Sequence, residues 1–304
     1  MRLLIKFISI IFIAALGAVN VHANEKLRII ASFSILADIT NEIGGDFVDV
    51  TSLVEPGADL HHFEPRPNDI KRLQKADLVL LNGLGFEPWL DRVKASNEKA
   101  SSWVVASEGV TPLLFDHHDD ADHSTRETKA FDPHAWQDVG YARLYAKNIA
   151  AALMDRDPDH HALYLENLAR YDLQLQKLDR DIRGAIAAIP LEKRKIVTTH
   201  DAFGYFEKAY GLTMVAPLGI GSEAQPAAKD LARIIRQIRS EAIPAIFLET
   251  AIDPRLAEQL AAETGVKIGG TLYADTLSQK NGPAGTYIAM METNIRTLTA
   301  ALDP

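Results

Sequence analysis

The side chains of this sequence that could do chemistry are its histidines and acids. The chain has 304 residues, ten histidines and no cysteine. A metal site must therefore be built from imidazole and carboxylate, and disulfides, thiolate clusters, cysteine nucleophiles and cysteine acylation are excluded. Four places stand out. His61 and His62 lie in residues 55–69 (EPGADLHHFEPRPND), a segment stiffened by prolines at 56, 65 and 67. His134 lies in residues 131–138 (FDPHAWQD), at the start of a helix and beside Asp132, a potential capping residue. His200 opens HDAFG after a strand, and Asp275 lies in residues 272–278 (LYADTLS) after another. Singly, the 61/62 pair reads as a metal ligand or a surface pair, His134 as a ligand or a histidine beside a capping aspartate and Asp275 as a ligand or a helix cap, whereas His200 stands where a ligand or catalytic residue is usual. Together, one imidazole of the 61/62 pair with His134, His200 and Asp275 makes a four-coordinate nitrogen and oxygen set, which suits Zn²⁺ and other late divalent metals. Four protein ligands leave no open position for an activated water, so the set points to binding rather than catalysis. A metallohydrolase with Asp201 or Glu223 as general base is the competing reading; it lacks a His-Glu-x-x-His signature.

The remaining histidines divide in two. His117, His118 and His123 lie in residues 116–129 (DHHDDADHSTRETK), between Asp116, Asp119, Asp120 and Asp122. No apolar periodicity marks this stretch, which reads as a loop. A flexible ligand set loses entropy when it closes on an ion, so these imidazoles are expected to bind metal weakly and exchange it fast, as an auxiliary loop, the alternative being a solvated acidic linker. His160 and His161 sit among acids in the first turn of a long helix and read as solvated surface.

The elements that position these groups follow from hydrophobic period. Residues 27–33, 48–54, 76–81 and 103–106 read as strands, with helices over 34–43, 65–74 and 88–95 between them. Residues 157–189 read as one long helix, with an apolar stripe from Leu168 to Ile189, Asp157 and Pro158 at its start and Pro190 at its end. Strands then recur at 195–199, 212–217, 245–248 and 266–269, alternating with helices at 202–210, 226–241, 254–263 and 285–302. This alternation implies parallel sheets covered on both faces, where strand ends form the ligand crevice. The expected fold class is α/β: two Rossmann-like lobes, residues 24–156 and 190–304, joined by a rigid helix over 157–189, with the four candidate places at strand ends, two in each lobe.

Charge and termini narrow the setting. Lysine and arginine total 32 against 41 acids, a net charge of −9, which disfavours nucleic acid and anionic membranes as partners. Arg2 and Lys6 precede an apolar run at 7–19, and Val21-His22-Ala23 resembles a cleavage site. Residues 1–23 are therefore expected to be a signal peptide, too short to span a bilayer, and the product a soluble periplasmic monomer.

Several motifs carry a family resemblance over nearly the whole chain. Asp59-Leu60-His61-His62-Phe63-Glu64-Pro65 matches a D-P-H-x-Y-E-P segment, with Leu60 where proline is usual. With it go Asp132-Pro133-His134-Ala135-Trp136, Thr199-His200-Asp201-Ala202-Phe203-Gly204-Tyr205-Phe206, Ser222-Glu223-Ala224-Gln225-Pro226 and Gly270-Thr271-Leu272-Tyr273-Ala274-Asp275. The sequence resembles the periplasmic solute-binding proteins of zinc and manganese ABC transporters, the ZnuA-like and AztC-like group. The resemblance implies two α/β lobes on a backbone helix and a metal in the cleft between them. The implied ligands are His61, His134, His200 and Asp275, with His61 chosen over His62. Its implied partners are a membrane permease and a periplasmic zinc donor protein. Manganese members typically carry glutamate at the position of His200, so the nitrogen-rich set favours Zn²⁺ over Mn²⁺ as cargo.

Overall fold

The structure is a computed structural model and describes residues 25–58, 60, 63–95, 103–114, 131–217 and 228–302. The expected signal segment, His61, His62, Glu223 and the loop histidines His117, His118 and His123 lie outside the described residues. The first lobe carries β1 (Leu27–Ala31), α1 (Ser34–Gly44), β2 (Val48–Ser52), α2 (Pro67–Lys75), β3 (Leu78–Leu81), α3 (Leu90–Ala95) and β4 (Trp103–Val105). Its four strands are all parallel, in the order β2-β1-β3-β4. Two helices follow, α4 (Val139–Arg156) and α5 (His161–Ala188). The second lobe carries β5 (Lys195–Val197), α6 (Gly204–Tyr210), β6 (Thr213–Val215), α7 (Ala228–Ser240), β7 (Ala245–Glu249), α8 (Arg255–Thr264), β8 (Lys267–Leu272) and α9 (Tyr287–Leu302). Its sheet repeats the first lobe's order as β6-β5-β7-β8, again all parallel.

Strand alternation divides the apolar residues between cores. In the first sheet Ile30, Val79 and Leu81 face outward and pack with Leu73 of α2 and Val93 of α3. In the second, Val197 and Ile246 face outward beneath Ile234 and Ile238 of α7 and Leu260 of α8. The opposite faces share one central core. Ile29, Ala31, Leu78 and Leu80 join Ile196, Ala245, Phe247 and Leu272 in a single cluster with residues of α1, α4, α5, α6 and α9. The two sheets thus clasp a common helical layer.

The linking helix differs in detail from its expected form. A single 3₁₀ turn, Pro158–His160, precedes α5, whose 28 residues span about 42 Å. Asp157 does not cap it by accepting a backbone N–H. Its carboxylate instead takes the Tyr164 hydroxyl at 2.6 Å and contacts His160 Nδ1 at 2.8 Å. His160 is not solvated surface, because its ring stacks on Phe47 with centroids 4.0 Å apart. His161 is exposed, as expected. The helix that begins near His134 runs to Arg156 and packs along α5 as an antiparallel partner.

Polar ties cross between the lobes. Trp136 Nε1 and Gln137 Nε2 both donate to the carbonyl of Ala274, at 2.9 and 2.7 Å. The Tyr287 hydroxyl donates to the carbonyl of Trp136 at 2.7 Å, and the Tyr287 N–H donates to Asp38 at 2.8 Å. Ser34 accepts the Leu277 N–H at 3.0 Å, and Thr276 accepts the Gly57 N–H at 2.8 Å.

Candidate metal centre

His200 and Asp275 follow β5 and β8 by three residues each, at the carboxyl ends of their strands. His134 is placed differently from the strand-end expectation. It follows an isolated antiparallel bridge between Leu114 and Phe131 and caps the 3₁₀ turn Ala135–Gln137 that leads into α4. Asp138 supplies the cap of α4, accepting the Gly140 N–H at 2.7 Å, so Asp132 is left for another task. Trp136 is fully buried against Phe33 and Phe86, with ring centroids 4.8 and 5.0 Å away, and this aromatic wall fixes the backbone beside His134.

These positions converge. His134 Nε2 lies 3.3 Å from Asp275 Oδ1, and His200 Nε2 lies 3.2 Å from Asp275 Oδ2. One ligand atom from each of the three residues falls within 4.8 Å of the others. Among the described residues this is the one cluster of histidine and acid side chains arranged to hold an ion. His134 and His200 have no exposed surface and Asp275 is 8% exposed.

Each imidazole is backed by a second carboxylate on its far nitrogen. Asp132 lies 2.8 Å from His134 Nδ1 and also accepts the His134 N–H at 2.9 Å. Glu249 lies 2.6 Å from His200 Nδ1. Such outer partners fix ring orientation and raise ligand basicity in metal sites. The chain makes room for one of them: a Cβ on Gly204 would meet Asp132 Oδ2 at 2.7 Å. Glu249 went unnoticed in the sequence. Its signal is an acid closing an otherwise apolar buried strand, AIFLE.

The charges respond to this crowding. Burial alone would push the His134 imidazolium down, but the Asp275 charge and hydrogen bonds to Asp132 and Asp275 lift its pKa to about 9. At His200 burial is likewise outweighed by Glu249 and Asp275, which hold the ring well above the usual imidazole range. Burial would raise Asp275, yet the two imidazoles hold it well below the usual carboxylate range. Asp201, once a candidate base, is raised mainly by its own burial.

The match to known proteins covers nearly the whole chain. Residues 29–301 match the family ZnuA, zinc-uptake complex component A, periplasmic. The chain belongs to this family. The iron-binding protein YfeA of Yersinia pestis is 35% identical over 296 residues, covering 97% of this chain and 93% of that protein. The manganese ABC transporter substrate-binding lipoprotein PsaA of Streptococcus anginosus is 31% identical over 308 residues, covering 99% and 97%. The periplasmic zinc-binding protein TroA of Treponema pallidum has a similar structure, with a TM-score of 0.83 at 30% identity over 92% of this chain and all of that one. The ZnuA-family chain is thus a metal-binding substrate-binding protein of the ABC transporter type and not an enzyme. No helix among its described residues is long and apolar enough to cross a membrane.

Proposed function

We propose that this protein captures Zn²⁺ in the periplasm and delivers it to the membrane permease of an ABC importer. His61, His134, His200 and Asp275 are the proposed ligands. The observation that carries the reading is the convergence of two buried imidazoles and one carboxylate from both lobes on a single point. A third imidazole from His61, on the segment beyond β2, completes a nitrogen-rich set that favours zinc over manganese. Residues 1–23 serve as the export signal. The His117, His118 and His123 loop gathers zinc, or receives it from a periplasmic donor, and passes it to the buried site. The iron-binding and manganese-transporter relatives support a second reading, in which the cargo is Mn²⁺ or Fe²⁺. Equilibrium dialysis of the chain against mixtures of the three ions, followed by metal analysis, separates them. Zinc retained in preference to an excess of the others supports the first reading, and retention of manganese or iron instead replaces it.

A further inference from the structure

Glu249 gives its two carboxylate oxygens two different tasks. Oε1 accepts the backbone N–H groups of Thr199 at 2.5 Å and His200 at 3.0 Å. Oε2 lies 2.6 Å from Nδ1 of the His200 ring. All these groups belong to one short stretch beyond β5, so a side chain from the neighbouring strand β7 grips both the backbone and the ring of His200. The other ring nitrogen, Nε2, faces Asp275 in the cleft at 3.2 Å. In an imidazole the hydrogen bond at one nitrogen decides what the other can do. A carboxylate acceptor at Nδ1 keeps the ring proton there and leaves the Nε2 lone pair for a cation.

We propose that Glu249 is the positioning residue that makes His200 a ligand, by holding Nδ1 as a donor and turning Nε2 into the cleft. This rests on the metal-binding reading above and adds to it a residue that touches no metal. His134 offers the contrast. There a single oxygen, Asp132 Oδ1, accepts both the backbone N–H and Nδ1. One acceptor atom suffices at 132, whereas two are needed at 249.

Amide replacements therefore separate the two sites. Asparagine at 132 can aim its oxygen at both donors of His134, so the ring keeps its tautomer. Glutamine at 249 has no satisfactory orientation. With its oxygen on the backbone amides, its NH₂ meets Nδ1, which must then accept, and the ring proton moves to Nε2, where it blocks the metal. Reversed, its NH₂ is set against two backbone N–H groups. The test is zinc affinity by chelator competition for the wild type, Glu249→Gln, Asp132→Asn, His200→Ala and the double variant Glu249→Gln/His200→Ala. Glu249→Gln is expected to weaken zinc binding on the order of 10–100-fold, as outer-shell losses do. Asp132→Asn should lose much less, and Glu249→Gln should cost nothing further once His200 is alanine. Equal losses at 132 and 249, or an undiminished loss from Glu249→Gln in the His200→Ala background, would overturn the assignment. Should Glu249→Gln fail to fold, ¹⁵N ring spectra of the zinc-loaded wild type decide: a proton on His200 Nδ1 supports the proposal, and zinc on Nδ1 overturns it. A wild type that takes up no zinc, manganese or iron would remove the metal-binding reading and this assignment with it. Tight wild-type binding with an insensitive Glu249→Gln would remove the assignment alone.

Discussion

Two imidazoles that converge on a carboxylate carry protons when no ion is present. His134, with a pKa lifted to about 9, and His200, held well above the imidazole range, are both protonated in the ion-free protein near neutrality. A metal must displace those protons, so apparent affinity rises as pH is raised and falls as it drops. Chelator-competition titrations from pH 6 to 9 should show this rise together with proton release on binding, and a flat profile would contradict a site built on these imidazoles. Alanine at His61, His134 or His200 should weaken zinc binding by more than the roughly 10–100-fold of an outer partner. His62→Ala should do little, and dialysis of the four variants checks the order. His200 and Asp275 are legible because a histidine or an aspartate just beyond a strand advertises itself by type and position, and His134 by the aspartate beside it at a helix start. Glu249 was not, because its role depends on which strand lies beside β5, and sheet order is written in no single segment. Asp132 was legible as a helix cap and proved otherwise, since Asp138 holds that post.

Among the elements, short apolar runs mark the strands, whose two faces are both buried, and one-sided stripes mark the outer helices. Turns were harder. The sequence puts Asp157 as the N-cap of the long helix with Pro158 at its first position, but Asp157 finds better partners in Tyr164 and His160 than in a backbone amide. The extent of α4 is hard to read because three of its seven buried residues, Ala142, Ala146 and Ala150, are alanines and make a weak stripe. Removing residues 117–123 should leave the equilibrium affinity of the main site nearly unchanged and slow zinc loading when zinc is scarce. Stopped-flow loading beside chelator competition tests it. A loss of affinity as large as that of His134→Ala would place the loop in the primary site.

At the scale of the whole molecule, the contacts between lobes set its response to acid and heat. Asp38 on α1 accepts the first N–H of α9, and burial lifts its pKa to about 7, against an ordinary carboxyl value near 4. A group raised on folding favours the folded state most below its unfolded pKa, and that contribution disappears as pH rises through the folded value. Asp38→Asn removes this titration. Its stability relative to the wild type should therefore climb between pH 4 and pH 7, measured as the midpoint of urea unfolding, and a constant difference would contradict the assignment. The common helical layer bears on a different question, how the chain comes apart. Its apolar residues belong to both sheets at once, so neither lobe has a complete interior of its own. Calorimetry should accordingly show one endotherm, with calorimetric and van't Hoff enthalpies in agreement, rather than two. By the same reasoning residues 24–156 expressed alone should not form a stable domain, and would instead expose the inner face of their sheet and bind a hydrophobic dye. Two halves alike in topology are in this sense a single thermodynamic object, and its division is visible only in its outline.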